Sequence, residues 1–250
     1  MKVAVSNLAA PAWTLERMLE AVGEYGYDGL ELRLLEGEPI DVLAVDAATR
    51  RTLARADVPL VCLDTSIELA KPFDRELPAA IELAREWGAP AVRVFGGPSP
   101  ELADIAQRLV PMLDRAGKAG VTIALETHDS FASAVLVGEL LQRVESPSFA
   151  AIWDVHHPYR MGESPDVVLS ALGDRIHLVH VKDARRAGDD WALVGLGEGE
   201  VPVRESLAAL RTSGYDGWLT VEWEKRWHPE LAEPEVALPR ERETLRRWLA

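Results

Sequence analysis

One cysteine in 250 residues, Cys62, excludes an internal disulfide and every zinc motif built on paired cysteines. It sits in the apolar run 60–63, so a buried, inert thiol is expected. Long apolar runs are missing, and with them any expected membrane span. The first residues read as a strand, without the cationic stretch, apolar core and small-residue cleavage site of a secretory signal; the expected compartment is the cytoplasm. Basic residues are in deficit, 27 Lys and Arg against 41 Asp and Glu, for a formal net charge of -14. Such a field repels polyanions, whereas duplex nucleic acid is normally met with a basic stripe, so neither a nucleic-acid nor a membrane partner is expected. It also disfavours phosphorylated substrates unless a bound cation and a few arginines reverse it locally, and a neutral sugar or polyol fits with less strain. No Gly-x-Gly-x-x-Gly follows the first strand and no Gly-x-Ser-x-Gly elbow occurs. Gly96-Gly97 and Gly195-Leu196-Gly197 lack the Lys-Ser/Thr and the strand-to-helix setting of a phosphate loop.

What is present is alternation. Short β-branched apolar runs at 3–6, 29–33, 60–63, 91–95, 121–126, 149–154, 176–180 and 218–222 read as buried parallel strands. Amphipathic stretches at 14–25, 46–56, 74–87, 100–117, 133–144, 166–172, 203–213 and 237–249 read as helices. Thr14, Asp46, Asp74 and Ser133 are expected N-caps, and Gly88 and Gly173 expected C-terminal glycines. The phrase Gly-Tyr-Asp-Gly recurs at 26–29 and 214–217, in each case between a helical run and a strand. Eight β/α units in this length, with no linker, predict an α/β fold: one eight-stranded parallel β/α barrel spanning residues 1–250 as a single domain. The irregular stretches 184–202 and 225–239 follow strands and are expected as active-site loops.

The last four strands each end on a residue able to hold a metal or move a proton: Glu126, Asp154, His180 and Glu222. Any one of them alone is an ordinary strand terminus. Four in succession, at the C-terminal rim where barrel enzymes keep their chemistry, predict one divalent-cation site. Three carboxylates and an imidazole suit Mn²⁺, with Mg²⁺ or Co²⁺ as alternatives, better than a closed structural zinc site. Open coordination positions would chelate sugar oxygens and polarise a C=O, with Glu126 and Glu222 as general base and acid across the substrate. Around them, His157 is a candidate for a substrate hydroxyl, with His156 as scaffolding and His128 as a partner of the metal ligands. His177 alternates out of phase with His180 and is expected to face the helices. Arg93, Lys182, Arg185, Arg186, Glu31 and Arg33 stand at or after strand ends and are candidates for binding hydroxyls or an anion. Trp13, Trp153, Trp191, Trp223 and Trp227 fall in expected rim segments, where flat faces can stack on a sugar ring.

In order and spacing, Glu126-Thr-His128, Trp153-Asp154-Val-His-His157, His180-Val-Lys-Asp183, Gly197-Glu-Gly-Glu200, Gly214-Tyr-Asp-Gly217 and Val221-Glu222 resemble the xylose-isomerase-like TIM-barrel superfamily of sugar phosphate isomerases and epimerases. The resemblance covers nearly the whole chain and is strongest from 126 to 224. It implies a single Mn²⁺, Mg²⁺ or Co²⁺ on Glu126, Asp154, His180 and Glu222, and the two glutamates as acid and base in the manner of the ketose 3-epimerases. It also implies substrate contacts from His157 and Arg186, beside which Arg185 is an adjacent candidate. Isomerisation or epimerisation of a small sugar or polyol is the leading expectation, with an inosose-dehydratase-like elimination second and a non-catalytic accessory subunit third. Whether the chain pairs as a homodimer is left open. The superfamily's abasic-site endonucleases hold three metals with extra histidines on early strands. None of the six histidines here precedes His128.

Overall fold

A computed structural model of the chain describes residues 1–34, 42–98 and 101–250. Eight parallel strands close into a barrel: β1 (Lys2–Ser6), β2 (Gly29–Arg33), β3 (Leu60–Glu68), β4 (Ala91–Phe95), β5 (Thr122–Glu126), β6 (Phe149–Asp154), β7 (Ile176–Val181) and β10 (Trp218–Val221), the last pairing with both β7 and β1. Between β7 and β10 stands a two-stranded antiparallel hairpin, β8 (Asp183–Ala187) and β9 (Asp190–Val194). The helices are α1 (Leu15–Glu24), α2 (Ala47–Arg55), α3 (Glu76–Trp87), α4 (Leu102–Ala119), α5 (Ala134–Arg143), α6 (His156–Arg160), α7 (Pro165–Leu172), α8 (Val203–Ser213) and α9 (Pro234–Leu249). The architecture is the β/α barrel that the alternation predicts. No helix among the described residues is long and apolar enough to cross a membrane.

The strands explain their own rim. Ala4, Cys62, Ala91, Ala124, Ile152 and Leu178 form a small apolar cluster, distinct from the larger one that includes Val92, Ile123, Leu125 and Val179 together with the apolar faces of the helices. Side chains alternate faces along a strand, so two residues beyond the inner cluster the same face presents Asp64, Arg93, Glu126, Asp154 and His180. Small or apolar residues fill the barrel floor, and ionisable ones occupy the layer above it. Cys62 is fully buried in that floor, where burial pushes its thiol well above its ordinary range.

Three of the four expected N-caps form. Thr14, Asp46 and Ser133 each accept a backbone N–H from the first turn of α1, α2 and α5. Asp74 does not cap α3, whose N-terminal flank is Arg75 without a side-chain cap. The expected start of the fourth helix at Pro100 lies outside the described residues. The repeated Gly-Tyr-Asp-Gly has one job in both places. Gly26 and Gly214 take positive φ of 74° and 84°, which suits a residue without Cβ. The following aspartates then hold the start of β1: Asp28 Oδ2 accepts the Val3 N–H at 2.8 Å, and Asp216 Oδ1 pairs with the Met1 ammonium at 2.7 Å.

Two expectations are corrected. The stretch 184–202 is not an irregular loop throughout, because its first half pairs with itself as β8 and β9; Gly188-Asp189 between them is a two-residue hairpin turn, with Gly188 at a φ of 69°, a local signal that the expectation of a loop passed over. The second expected loop, 225–239, is shorter than expected, because α9 begins at Pro234 and not at 237.

Candidate active site

Ligand atoms from Glu126, Asp154, His180 and Glu222, all buried, lie within 4.8 Å of one another. They come from β5, β6, β7 and the residue just past β10. The His180 ring is oriented by what touches each nitrogen. Nδ1 lies 3.1 Å from Glu126 Oε1 and 3.8 Å from Glu222 Oε1, whereas Nε2 lies 2.9 Å from Glu31 Oε1 on β2. A metal-binding histidine normally gives its outer N–H to a carboxylate, which fixes the tautomer and raises the basicity of the inner nitrogen. Glu31 occupies that outer position.

Asp154 is positioned by its strand neighbours and by the turn that follows. Its N–H donates to Thr127 Oγ1 at 2.9 Å, and Oδ1 accepts the backbone N–H groups of His156 and His157 at 2.8 and 3.3 Å. That leaves Oδ2 facing inward, buried, 2.8 Å from Lys182 Nζ without hydrogen-bond geometry. Lys182 also reaches Glu222 Oε2 at 2.6 Å and Glu224 Oε1 at 2.5 Å. Across the barrel Arg93 Nη1 donates to Glu126 Oε2 at 2.5 Å, and its Nε stands 3.9 Å from Asp64 Oδ1.

The charge states follow from these neighbours. Burial pushes Glu126 up, but Arg93 and His180 outweigh it and hold the carboxyl well below its usual range. Glu222 feels the same penalty, and Lys182 and His180 bring it down to about 2. Both glutamates are ionised at neutral pH. Burial disfavours a charged His180, yet Glu31, Glu222 and Glu126 raise it well above the ordinary imidazole range. Asp64 goes the other way, pushed well above its usual value by burial and by Glu31. The neighbourhood therefore favours positive charge strongly enough to protonate a fully buried imidazole. The two ionised glutamates, an Asp154 oxygen that faces inward without hydrogen-bond geometry and an imidazole pre-aimed by Glu31 fit a divalent cation.

The remaining candidates divide. Arg93, Lys182 and Glu31 point into the barrel and touch the four central residues directly. His157 packs its ring on His128 at 4.4 Å between centroids, with Nε2 buried and 3.9 Å from Asp154 Oδ2. Burial and Lys182 hold His157 well below its ordinary value, so it is neutral. Arg186 is exposed on β8 with its guanidinium over the Trp191 ring at 5.0 Å, and Arg185 beside it is also exposed. Trp191 meets His156 edge-on at 5.1 Å. Trp13 lines a cavity beside β2. Trp153 is corrected: it is 1% exposed and lies among Val155, Pro158, Tyr159 and Val168, on the helix side of β6, because it is out of phase with Asp154. Trp223 is likewise buried, its Nε1 donating to Ala232 O, and Trp227 is exposed.

Three residues have roles that the sequence did not assign. Asp64 lies one residue past the expected end of the third strand, which continues to Glu68; its signal was its place two residues after Cys62. Glu224 repeats the Glu222 position two residues on. Asp183 carries the least visible role. Its carboxylate accepts the N–H groups of Ala184, Gly197, Gly199 and Val201 at 2.8, 2.9, 3.0 and 3.1 Å, which pins the segment after β9 to the start of β8. Gly199 approaches so closely that a Cβ there would stand 2.1 Å from Asp183 Oδ1. The Lys-Asp and Gly-Glu-Gly-Glu motifs are thus two halves of one anchor, next to the lysine of the site.

A family model described as a xylose isomerase-like TIM barrel matches residues 19–248. Fructoselysine 3-epimerase of Shigella flexneri is 27% identical over 155 residues, 57% of this chain and 55% of that protein. Inosose dehydratase of Lacticaseibacillus casei is 27% identical over 147 residues, 52% of this chain and 49% of that protein. The chain spans about half the length of these curated relatives. Among solved structures, an IolI protein with a bound zinc atom shares the fold at a TM-score of 0.81 and 18% identity, covering 100% of this chain and 98% of that one.

Proposed function

The chain belongs to the xylose isomerase-like TIM barrel family, and from that premise we propose that it is a divalent-metal-dependent isomerase or epimerase of a small sugar or polyol in the cytoplasm. The observation that carries the reading is the convergence of Glu126, Asp154, His180 and Glu222 from four successive barrel strands onto one buried point. These four residues would hold the ion, Mn²⁺ by preference, with His180 offering Nδ1. When bound, the cation supplies Lewis-acid polarisation of a substrate carbonyl and so acidifies the neighbouring C–H.

The chain's own groups account for the proton. Glu126 and Glu222 are both ionised, so either can take the proton from the carbon beside the carbonyl. The glutamate that accepts it can return it only on its own side of the substrate. Return to the neighbouring carbon isomerises, delivery to the opposite face of the same carbon by the other glutamate, once that has taken a proton from solvent, epimerises, and delivery to a β-hydroxyl expels water. The third outcome is the second reading, in keeping with the dehydratase among the relatives. Arg93 and Lys182 hold the outer oxygens of the two glutamates, and neutral His157 beside Asp154 is placed to bond a substrate hydroxyl.

The test is hydrogen exchange. With Mn²⁺ and a panel of unphosphorylated ketoses and inososes in D₂O, the wild type is expected to wash substrate hydrogen into solvent. Glu126→Gln and Glu222→Gln should abolish the exchange while melting as folded proteins. Exchange that survives both substitutions removes the acid/base assignment. Product mass separates the two readings, because elimination loses water and isomerisation does not.

A further inference from the structure

Beside the metal-ligand cluster, on the β1–β2 side of the rim, lies a cavity of about 410 Å³ whose walls include Asn7, Trp13, Leu15, Met18, Arg33 and Arg226. This volume falls in the range of small-molecule sites. The lining is mainly apolar, yet it includes two guanidinium-bearing residues in a protein whose net charge is -14. Arg33 joins the cavity to the cluster. It lies two residues after Glu31 on β2, on the same strand face, and its guanidinium stands 5.6 Å from the Phe95 ring centre. Arg93, which holds Glu126, lies over the same ring at 4.0 Å.

Arg33 is also braced. Its N–H donates to Asn7 Oδ1 at 2.6 Å, Nη2 donates to Ser66 Oγ at 2.9 Å, and Nη1 donates to the Thr65 carbonyl. All three partners are neutral. No ion pair of Arg33 occurs among the described residues. Burial and the nearby Arg93 bring Arg33 down to about 9 against the opposing pull of Asp64, Glu126 and Glu222, so it stays cationic at neutral pH. Glu16, the acidic residue in the lining, is engaged by Thr52 Oγ1 at 2.8 Å.

We propose that this cavity is a substrate subsite for a carboxylate on an extended, partly apolar arm, so that the sugar handled at the metal centre is a carboxylated one. The inference rests on the metal-centre reading for its reaction but not for its binding. Apolar walls take the arm, the Trp13 face packs on it, and Arg33 receives the carboxylate, a group whose planar geometry matches a guanidinium. The overall acidic field is thereby reversed at one place on the rim.

The probe is hexanoate, with hexanol as its uncharged control, titrated by calorimetry into the Mn²⁺-loaded protein. Hexanoate is expected to bind at least about tenfold more tightly than hexanol, consistent with a charge-assisted pair. Arg33→Met should remove that preference and Arg33→Lys should restore part of it. Ala48→Phe, at an exposed position in the lining, fills the cavity without touching the core and should weaken both probes about tenfold or more. Equal binding of hexanoate and hexanol, or hexanoate binding unchanged in Ala48→Phe, overturns the proposal. Ketoses that exchange hydrogen while hexanoate fails to bind leave the reaction standing and the subsite rejected; hexanoate binding without any exchange does the reverse.

Discussion

Glu31→Gln separates an oriented metal ligand from a histidine that merely shares a buried ion pair. His180 Nε2 and Glu31 Oε1 are 2.9 Å apart, with both side chains at most 1% exposed, so the contact is shielded from solvent. Glutamine keeps the shape and removes the charge. If Nδ1 is the ligand, the carboxylate at Nε2 fixes which nitrogen carries the proton and makes the other more basic. Loss of such a partner weakens metal binding by about 10- to 100-fold, which is about 1.4–2.7 kcal/mol. Calorimetric titration of Mn²⁺ into both proteins at neutral pH reads this directly. A melting curve with saturating Mn²⁺ reads it again, because the metal-induced stabilisation shrinks by the same free energy at fixed ion concentration. The metal-free melts are the control for folding. An unchanged Mn²⁺ dissociation constant in a folded Glu31→Gln variant would refute the orientation argument, and with it the choice of Nδ1.

Arg93→Met strips the guanidinium from Glu126 and from the neighbourhood of Asp64, both buried; about 3–5 kcal/mol of stability should be lost, read as a lower denaturant midpoint. An unaltered midpoint would show that this pair contributes nothing. Asp183→Ala leaves four backbone N–H groups without their acceptor and should cost about 3 kcal/mol or more, with faster amide exchange at Gly197, Gly199 and Val201. Wild-type protection at those amides would contradict the anchor. Burial lowers His156 from 6.5 to about 4, so the unfolded chain binds more protons between these values. The stability this contributes is present above pH 6.5, declines as pH falls, and is gone below about pH 4, roughly 3 kcal/mol in all. His156→Phe should flatten that part of the acid slope, and parallel slopes in the two proteins would count against it.

The strand and helix pattern could be read without coordinates because its signals are local. Period-two alternation from Ala124 to Glu126, Ile152 to Asp154 and Leu178 to His180 puts each terminal side chain on the face of a small or apolar inner residue. The same logic sends Trp153 to the helices, where its aromatic character had pointed to the rim. Hydrophobic pattern and side-chain alternation belong to the chain itself, and they were enough for the barrel and for the four ionisable strand ends.

Only the tertiary structure decided which charges meet. Lys182 finds Asp154 and Glu222, Arg93 finds Glu126, and Glu31 finds His180 because a closed barrel brings β2 across to β7 and β4 beside β5. Asp183 gathers N–H groups up to 18 residues away, through contacts that leave no periodic trace. Those pairings set protonation and orientation, which depend on distance and burial in three dimensions. Composition supplied the acids and bases, and barrel closure assigned their partners.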